Sequence, residues 1–148
     1  VNVEVWTYDE PRLYTVQELQ LKNDSIASYR TAVHLKSNKI VPLATSDFPN
    51  TELGDEGNAL YALVNTTLPH ELESQWTGRR ENDYKLISTN SGETLLSLTK
   101  VPRVQLSPKA QFAYGYSPTD RTWISYTLPD GNVNDLTKGK QLFSEPHE

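Results

Sequence analysis

Cysteine is absent from this 148-residue chain. That excludes a disulfide framework, a thiolate nucleophile and a thiolate metal site. Long apolar runs are missing too. The longest is Ala59-Leu60-Tyr61-Ala62-Leu63-Val64, whereas a membrane helix needs about 20 such residues. No membrane partner is expected. Basic runs are scarce: the net charge is −5 and Arg79-Arg80 is the densest pair. Binding to nucleic acid requires many phosphate contacts from Lys and Arg, so no nucleic-acid partner is expected. Histidine occurs only at His34, His70 and His147. They are dispersed and form no His-Glu-x-x-His pattern, so neither a metal nor a cofactor is expected.

A nucleophile elbow is also missing. The nearest approach to Gly-x-Ser-x-Gly is Gly115-Tyr116-Ser117-Pro118-Thr119. The residue after the nucleophile must donate its backbone N–H to the oxyanion, and Pro118 has none. Ser117 reads as a turn residue closing an apolar strand, and no catalytic residue is assigned.

What the chain does have is the composition of one globular domain, with 36% hydrophobic and 22% charged residues. Eight tyrosines against three phenylalanines suit half-buried strands whose aromatic tips reach an edge. Internal repetition is the stronger signal. Residues 29–45, 84–99 and 123–137 can be laid on one another. Each opens on an aromatic residue (Tyr29, Tyr84 or Trp123), alternates to a turn, and returns through a short strand ending in Leu or Ala followed by Thr. The turns are Ser37-Asn38-Lys39, Ser91-Gly92-Glu93 and Asp130-Gly131-Asn132. Period-two alternation marks a strand with one buried face. Gly and Asn sit where the backbone must take positive φ. The unit is a β-hairpin.

A second unit recurs between these hairpins, at residues 52–65 and 105–117. In each a strand leads through a polar turn (Asp55-Glu56-Gly57 or Pro108-Lys109-Ala110) into a strongly apolar strand. The period therefore holds four strands. The expected fold class is all-β: antiparallel four-stranded blades forming a partial β-propeller of about two to three blades. Residues 1–148 form one partial domain. It divides into an opening segment and half-blade (1–50), a blade (51–100) lengthened by a loop over 66–82, a second blade (101–139), and a tail or start of a further blade (140–148). Val1 to Trp6 reads as a strand. Beyond it, Pro11 at a helix start, with Leu13, Val16 and Leu19, predicts a short helix near residues 11–22; a long irregular strand is the alternative. The chain opens on Val1 without a Met and is expected to be a trimmed piece.

Leu106-Ser107-Pro108-Lys109 followed by Phe112-Ala113-Tyr114 resembles a blade signature of prolyl-oligopeptidase-like and dipeptidyl-peptidase-IV-like serine peptidases. Residues 84–99 look like the half-blade that precedes that signature, and Leu136-Thr137-Lys138-Gly139 is similar to its closing segment. Val3-Glu4-Val5-Trp6-Thr7-Tyr8-Asp9-Glu10-Pro11-Arg12-Leu13 resembles a segment inside propellers of the same superfamily. The chain departs from the pattern at Lys109-Ala110 and at Gly54-Asp55. The resemblance implies a non-catalytic propeller portion that caps an active site and restricts substrate access. Its implied partners are a C-terminal α/β-hydrolase domain, which carries the catalysis, and a peptide substrate. It implies a periplasmic or secreted location. The alternative is a propeller scaffold that binds proteins or ligands without catalysis. About three hairpin pairs cannot close a ring, so open blade edges are expected to pair, giving a homodimer or strand exchange.

Two places carry candidate contacts. Asp9 and Glu10, in Trp6-Thr7-Tyr8-Asp9-Glu10, bear some likeness to the stretch by which dipeptidyl peptidases hold a substrate's amino terminus. Paired carboxylates suit an ammonium group; the competing reading is an acidic turn before Pro11. In the long loop, Trp76 beside Arg79 and Arg80 reads as an anchor holding the loop on the propeller face, or else as a recognition element.

Overall fold

The computed structural model describes residues 10, 12 and 14–138. The expected opening strand, Asp9, Pro11 and the tail from 140 onward lie outside the described residues. The chain is mostly β. A helix α1 (Tyr14–Ser25) precedes a hairpin of β1 (Thr31–His34) and β2 (Lys39–Pro42). Two four-stranded antiparallel sheets follow. The first comprises β3 (Asn50–Leu53), β4 (Tyr61–Thr66), β5 (Asn82–Ser88) and β6 (Thr94–Val101). The second comprises β7 (Val104–Leu106), β8 (Phe112–Ser117), β9 (Thr122–Thr127) and β10 (Val133–Asp135). In both, spatial order follows chain order, so each sheet is a meander. The described residues form no closed barrel.

Turn chemistry places the strand ends. Asn38, Gly92 and Gly131 take positive φ of 51°, 83° and 74° at the three hairpin turns, where alternation breaks off. The helix near residues 11–22 is present as α1, but it buries none of its residues. Leu19 and Leu21 are exposed. Arg12, just before the helix, donates to Gln20 of α1 at 2.9 Å and to Glu71 farther along the chain.

The sheets stack in chain order. On one side of the first sheet, Ala62, Val64 and Ile87 pack with Val41 and Leu43 of the hairpin region. On its other side, Leu63, Tyr84 and Leu86 pack with Val104, Leu106, Ala113 and Tyr126 of the second sheet. Both faces of β4 are therefore buried, which is why Ala62-Leu63-Val64 shows no alternation.

Polar groups seal the contact between the two sheets. β7 is an edge strand, and an edge leaves backbone N–H groups without ladder partners. Val104 N–H donates to the Tyr84 hydroxyl at 2.9 Å, and Leu106 N–H donates to Glu52 Oε1 at 3.0 Å. At the adjoining turns, Asp55 N–H donates to the Pro108 carbonyl. Gly54 allows that approach, because a Cβ there would lie 2.8 Å from the Ala110 Cβ.

Candidate functional site

The long loop over residues 66–82 is more ordered than the sequence implied. It folds as a 3-10 turn (Leu68–His70) running into helix α2 (Glu71–Thr77). Glu71 and Glu73 occupy the first turn of α2, where negative charge meets the unpaired N–H groups of the helix start. Gly78, at φ 68°, ends α2 by donating its N–H to the Ser74 carbonyl. The insertion lies over one end of the first sheet, where β5 begins and β6 finishes.

A charged cluster forms there. His70 Nε2 lies 2.7 Å from Asp83 Oδ1. The same Asp83 oxygen accepts the Lys100 backbone N–H at 2.8 Å. The Lys100 ammonium donates to both Glu73 oxygens, at 2.9 and 3.0 Å, and lies 3.6 Å from Glu81. Glu71 is held by Arg12 in a two-pronged contact, Nε to Oε2 and Nη2 to Oε1, each 3.1 Å. This fork ties the segment before α1 to the insertion.

The electrostatics follow from these contacts. Burial opposes ionisation of Asp83, but hydrogen bonds from His70 and the Lys100 backbone outweigh it and hold its carboxyl below the usual range. The Lys100 ammonium lowers Glu73 in turn, and Glu73 raises Lys100. Its hydrogen bond to Glu71 raises Arg12.

His70, Glu73 and Glu81 bring one ligand atom each to within 4.8 Å of one another. A metal reading fails on the chemistry of the neighbours, because the Lys100 ammonium already sits between the two carboxylates and His70 Nε2 already faces Asp83. A cation would have to displace a cation. Hydrolytic chemistry fails as well. His70 and Asp83 form an imidazole–carboxylate pair, but Ser74, one helical turn on, donates its hydroxyl to the His70 carbonyl at 2.8 Å. Ser117 ends β8 and donates to Asp120 Oδ2 at 2.9 Å, as suits a turn residue. At the opposite end of the sheets, an open cavity of about 300 Å³ is lined by Leu60, Tyr61, Lys109, Ala110, Gln111 and Leu128. It offers a single charged group and no acid–base pair.

The candidates singled out from sequence fare unequally. Asp9 lies outside the described residues. Glu10 is exposed and accepts a hydrogen bond from Gln17 Nε2 at 2.6 Å. His34 faces the neighbouring sheet, with Nε2 2.8 Å from the Thr89 carbonyl. Trp76 does not anchor its loop: it is 84% exposed, because α2 turns it outward. Sequence reasoning missed Arg12, Glu71 and Lys100. Their ion-pair partners lie 19 to 59 residues away, and no local pattern announces them. Comparison with protein-family models, with curated proteins and with solved structures finds no match to this chain.

Proposed function

We propose that this chain is a non-catalytic part of the β-propeller of a prolyl-oligopeptidase-like serine peptidase. Each four-stranded sheet is one blade, and the β1–β2 hairpin is half of another. The observation that carries the reading is the stacking of meanders in chain order, each packing a face on the next. Successive four-stranded meanders stacked in this way are the building plan of a propeller. In the parent protein such a ring caps a hydrolase domain and restricts access to peptides small enough to pass. The pairing described above suits that role, since the ionised groups of the cluster hold an insertion in place.

The test uses the complete gene product beside this chain. The complete product is expected to carry a Gly-x-Ser-x-Gly segment after the propeller and to be labelled by a fluorophosphonate, while residues 1–148 alone are not labelled. A complete product without that segment, unreactive to the probe, overturns the peptidase reading. The exposure of Trp76 beside Arg79 and Arg80 favours a second reading, a scaffold that binds a partner. On that reading Trp76→Ala abolishes partner capture and leaves the fold intact.

A further inference from the structure

We infer that helix α2 and the two arginines after it form a docking site for a short acidic peptide segment, one that sets aliphatic side chains before a pair of carboxylates. The inference rests on the partner-binding reading of Trp76 and names what that partner must offer.

Helix α2 is amphipathic in the reverse sense. A helix on a protein surface normally buries its apolar stripe and shows its charges to water. Here the side turned to the first sheet is polar. His70 meets Asp83, the Ser74 hydroxyl returns to the His70 carbonyl, and Glu71 and Glu73 are taken up by Arg12 and Lys100. Leu72 and Trp76 stand one turn apart and so are neighbours on one face. That face lies on the opposite side, and both residues are exposed. Leu68, in the 3-10 turn that leads into α2, is exposed as well. None of the three belongs to either buried apolar cluster. The helix is therefore held by its charges, and its apolar stripe has no cover among the described residues. An exposed stripe of this kind, bordered by polar groups, marks an interaction site.

Charge selects what covers it. Arg79 and Arg80 follow the Gly78 cap and are both exposed. Among the described residues neither guanidinium has a carboxylate partner. The carboxylates around them are already engaged, Glu71 by Arg12, and Glu73 and Glu81 by Lys100. The end of the stripe thus carries local positive charge on a chain whose net charge is −5.

That contrast decides between partners. An anionic bilayer is a large charged surface and meets the field of the whole chain, which repels it. A short segment meets only the charges within about 8 Å, the screening length at physiological salt, and there the two arginines prevail. Guanidinium groups hold carboxylates by paired hydrogen bonds, and Trp and Arg are the residue types that carry most binding energy at interfaces. The seven residues of α2 run about 10 Å, the reach of about three extended residues. A short segment is enough to cover the stripe and bring its carboxylates to the arginines.

Nuclear magnetic resonance titration of residues 1–148 tests the inference, with the Trp76 indole signal as the readout. The probes are a short synthetic peptide of leucines followed by glutamates, and the same peptide with glutamine in place of every glutamate. The glutamate peptide is expected to shift the Trp76 signal and to bind about tenfold more tightly than the glutamine peptide, the gain that two exposed charge pairs supply. Arg79→Ala combined with Arg80→Ala should erase that difference, and Trp76→Ala should weaken both peptides. An unchanged melting temperature checks that these surface variants keep the fold. Equal binding of the two peptides, lost in Trp76→Ala, overturns the acidic class and leaves the partner-binding reading standing. Binding that Trp76→Ala leaves unchanged overturns both. No shift of the Trp76 signal by either peptide at millimolar concentration also overturns the inference; if phosphatidylserine vesicles broaden that signal instead, the stripe is a membrane contact.

Discussion

Replacing Tyr84 by Phe removes one oxygen atom from the seam between the two sheets. Tyr84 is 3% exposed, and its hydroxyl accepts the Val104 N–H at 2.9 Å. The ring stays, so no cavity opens and the hydrophobic contribution is nearly unchanged. What changes is the Val104 N–H, which belongs to an edge strand and has no ladder partner on that side. A buried N–H left without an acceptor costs about 1–3 kcal/mol. For a chain of this size that corresponds to a fall of about 2–12 °C in the melting temperature. Urea denaturation followed by circular dichroism measures the free energy, and the slope with denaturant should not change, because the same surface is exposed on unfolding. Hydrogen exchange adds a local readout: the Val104 amide should lose protection while the Leu106 amide, bonded to Glu52, keeps it. A loss of less than about 0.5 kcal/mol, within the usual effect of a neutral surface change, would refute the reasoning. It would mean that water reaches the seam and replaces the hydroxyl.

Other expectations follow from the same contacts. Gly54→Val places a side chain against Ala110, where a Cβ alone would stand at 2.8 Å; overpacking of this kind costs about 1–3 kcal/mol in a urea melt. Glu52→Gln keeps an acceptor for the Leu106 N–H and should cost less than Glu52→Leu, which orphans it; equal losses would refute the hydrogen-bond account. Lys100 sits at φ 53° and is half exposed, so Lys100→Ala should lower the melting temperature only slightly, and less at high salt. Lys100→Gly should be the milder change, because glycine relieves the backbone; the reverse order in thermal melts would refute this. Stability should also fall at both ends of the pH scale. Burial raises Tyr84 and Tyr126, so their contribution is present below the ordinary tyrosine value of about 10 and is lost as pH rises through their folded values. Asp83 is lowered, so its contribution is present above the ordinary aspartate value of about 3.9 and is lost as pH falls through its folded value. Asp83→Asn should flatten the acid limb of a melting-temperature profile and leave the alkaline limb unchanged.

The hairpins were legible because their causes are local. Alternation over a few residues fixes which side chains share a face, and a Gly or Asn at the turn supplies the positive φ that reverses the chain. Hence the turns at Asn38, Gly92 and Gly131 and the four-strand period could be read directly, while the segment near residues 11–22 left a short helix and an irregular strand both open until α1 (Tyr14–Ser25) decided it. The candidate site was much less legible. Nothing near Arg12 points to Glu71, and nothing near Lys100 points to Glu73. Trp76 was misread because an aromatic residue in a loop is as consistent with a helix turning it outward as with an anchor.

For this protein the amino-acid sequence by itself determined where strands begin, end and reverse, since those choices depend on neighbours a few residues apart. Only the tertiary structure decided which face of each sheet meets which neighbour. Glu52 and Leu106 stand 54 positions apart in the chain, yet one supplies the acceptor that the other's edge N–H lacks. A period of two shows that a strand has two faces, but it is silent on what covers each. That is decided when separate sheets stack and each must satisfy the other's unpaired groups.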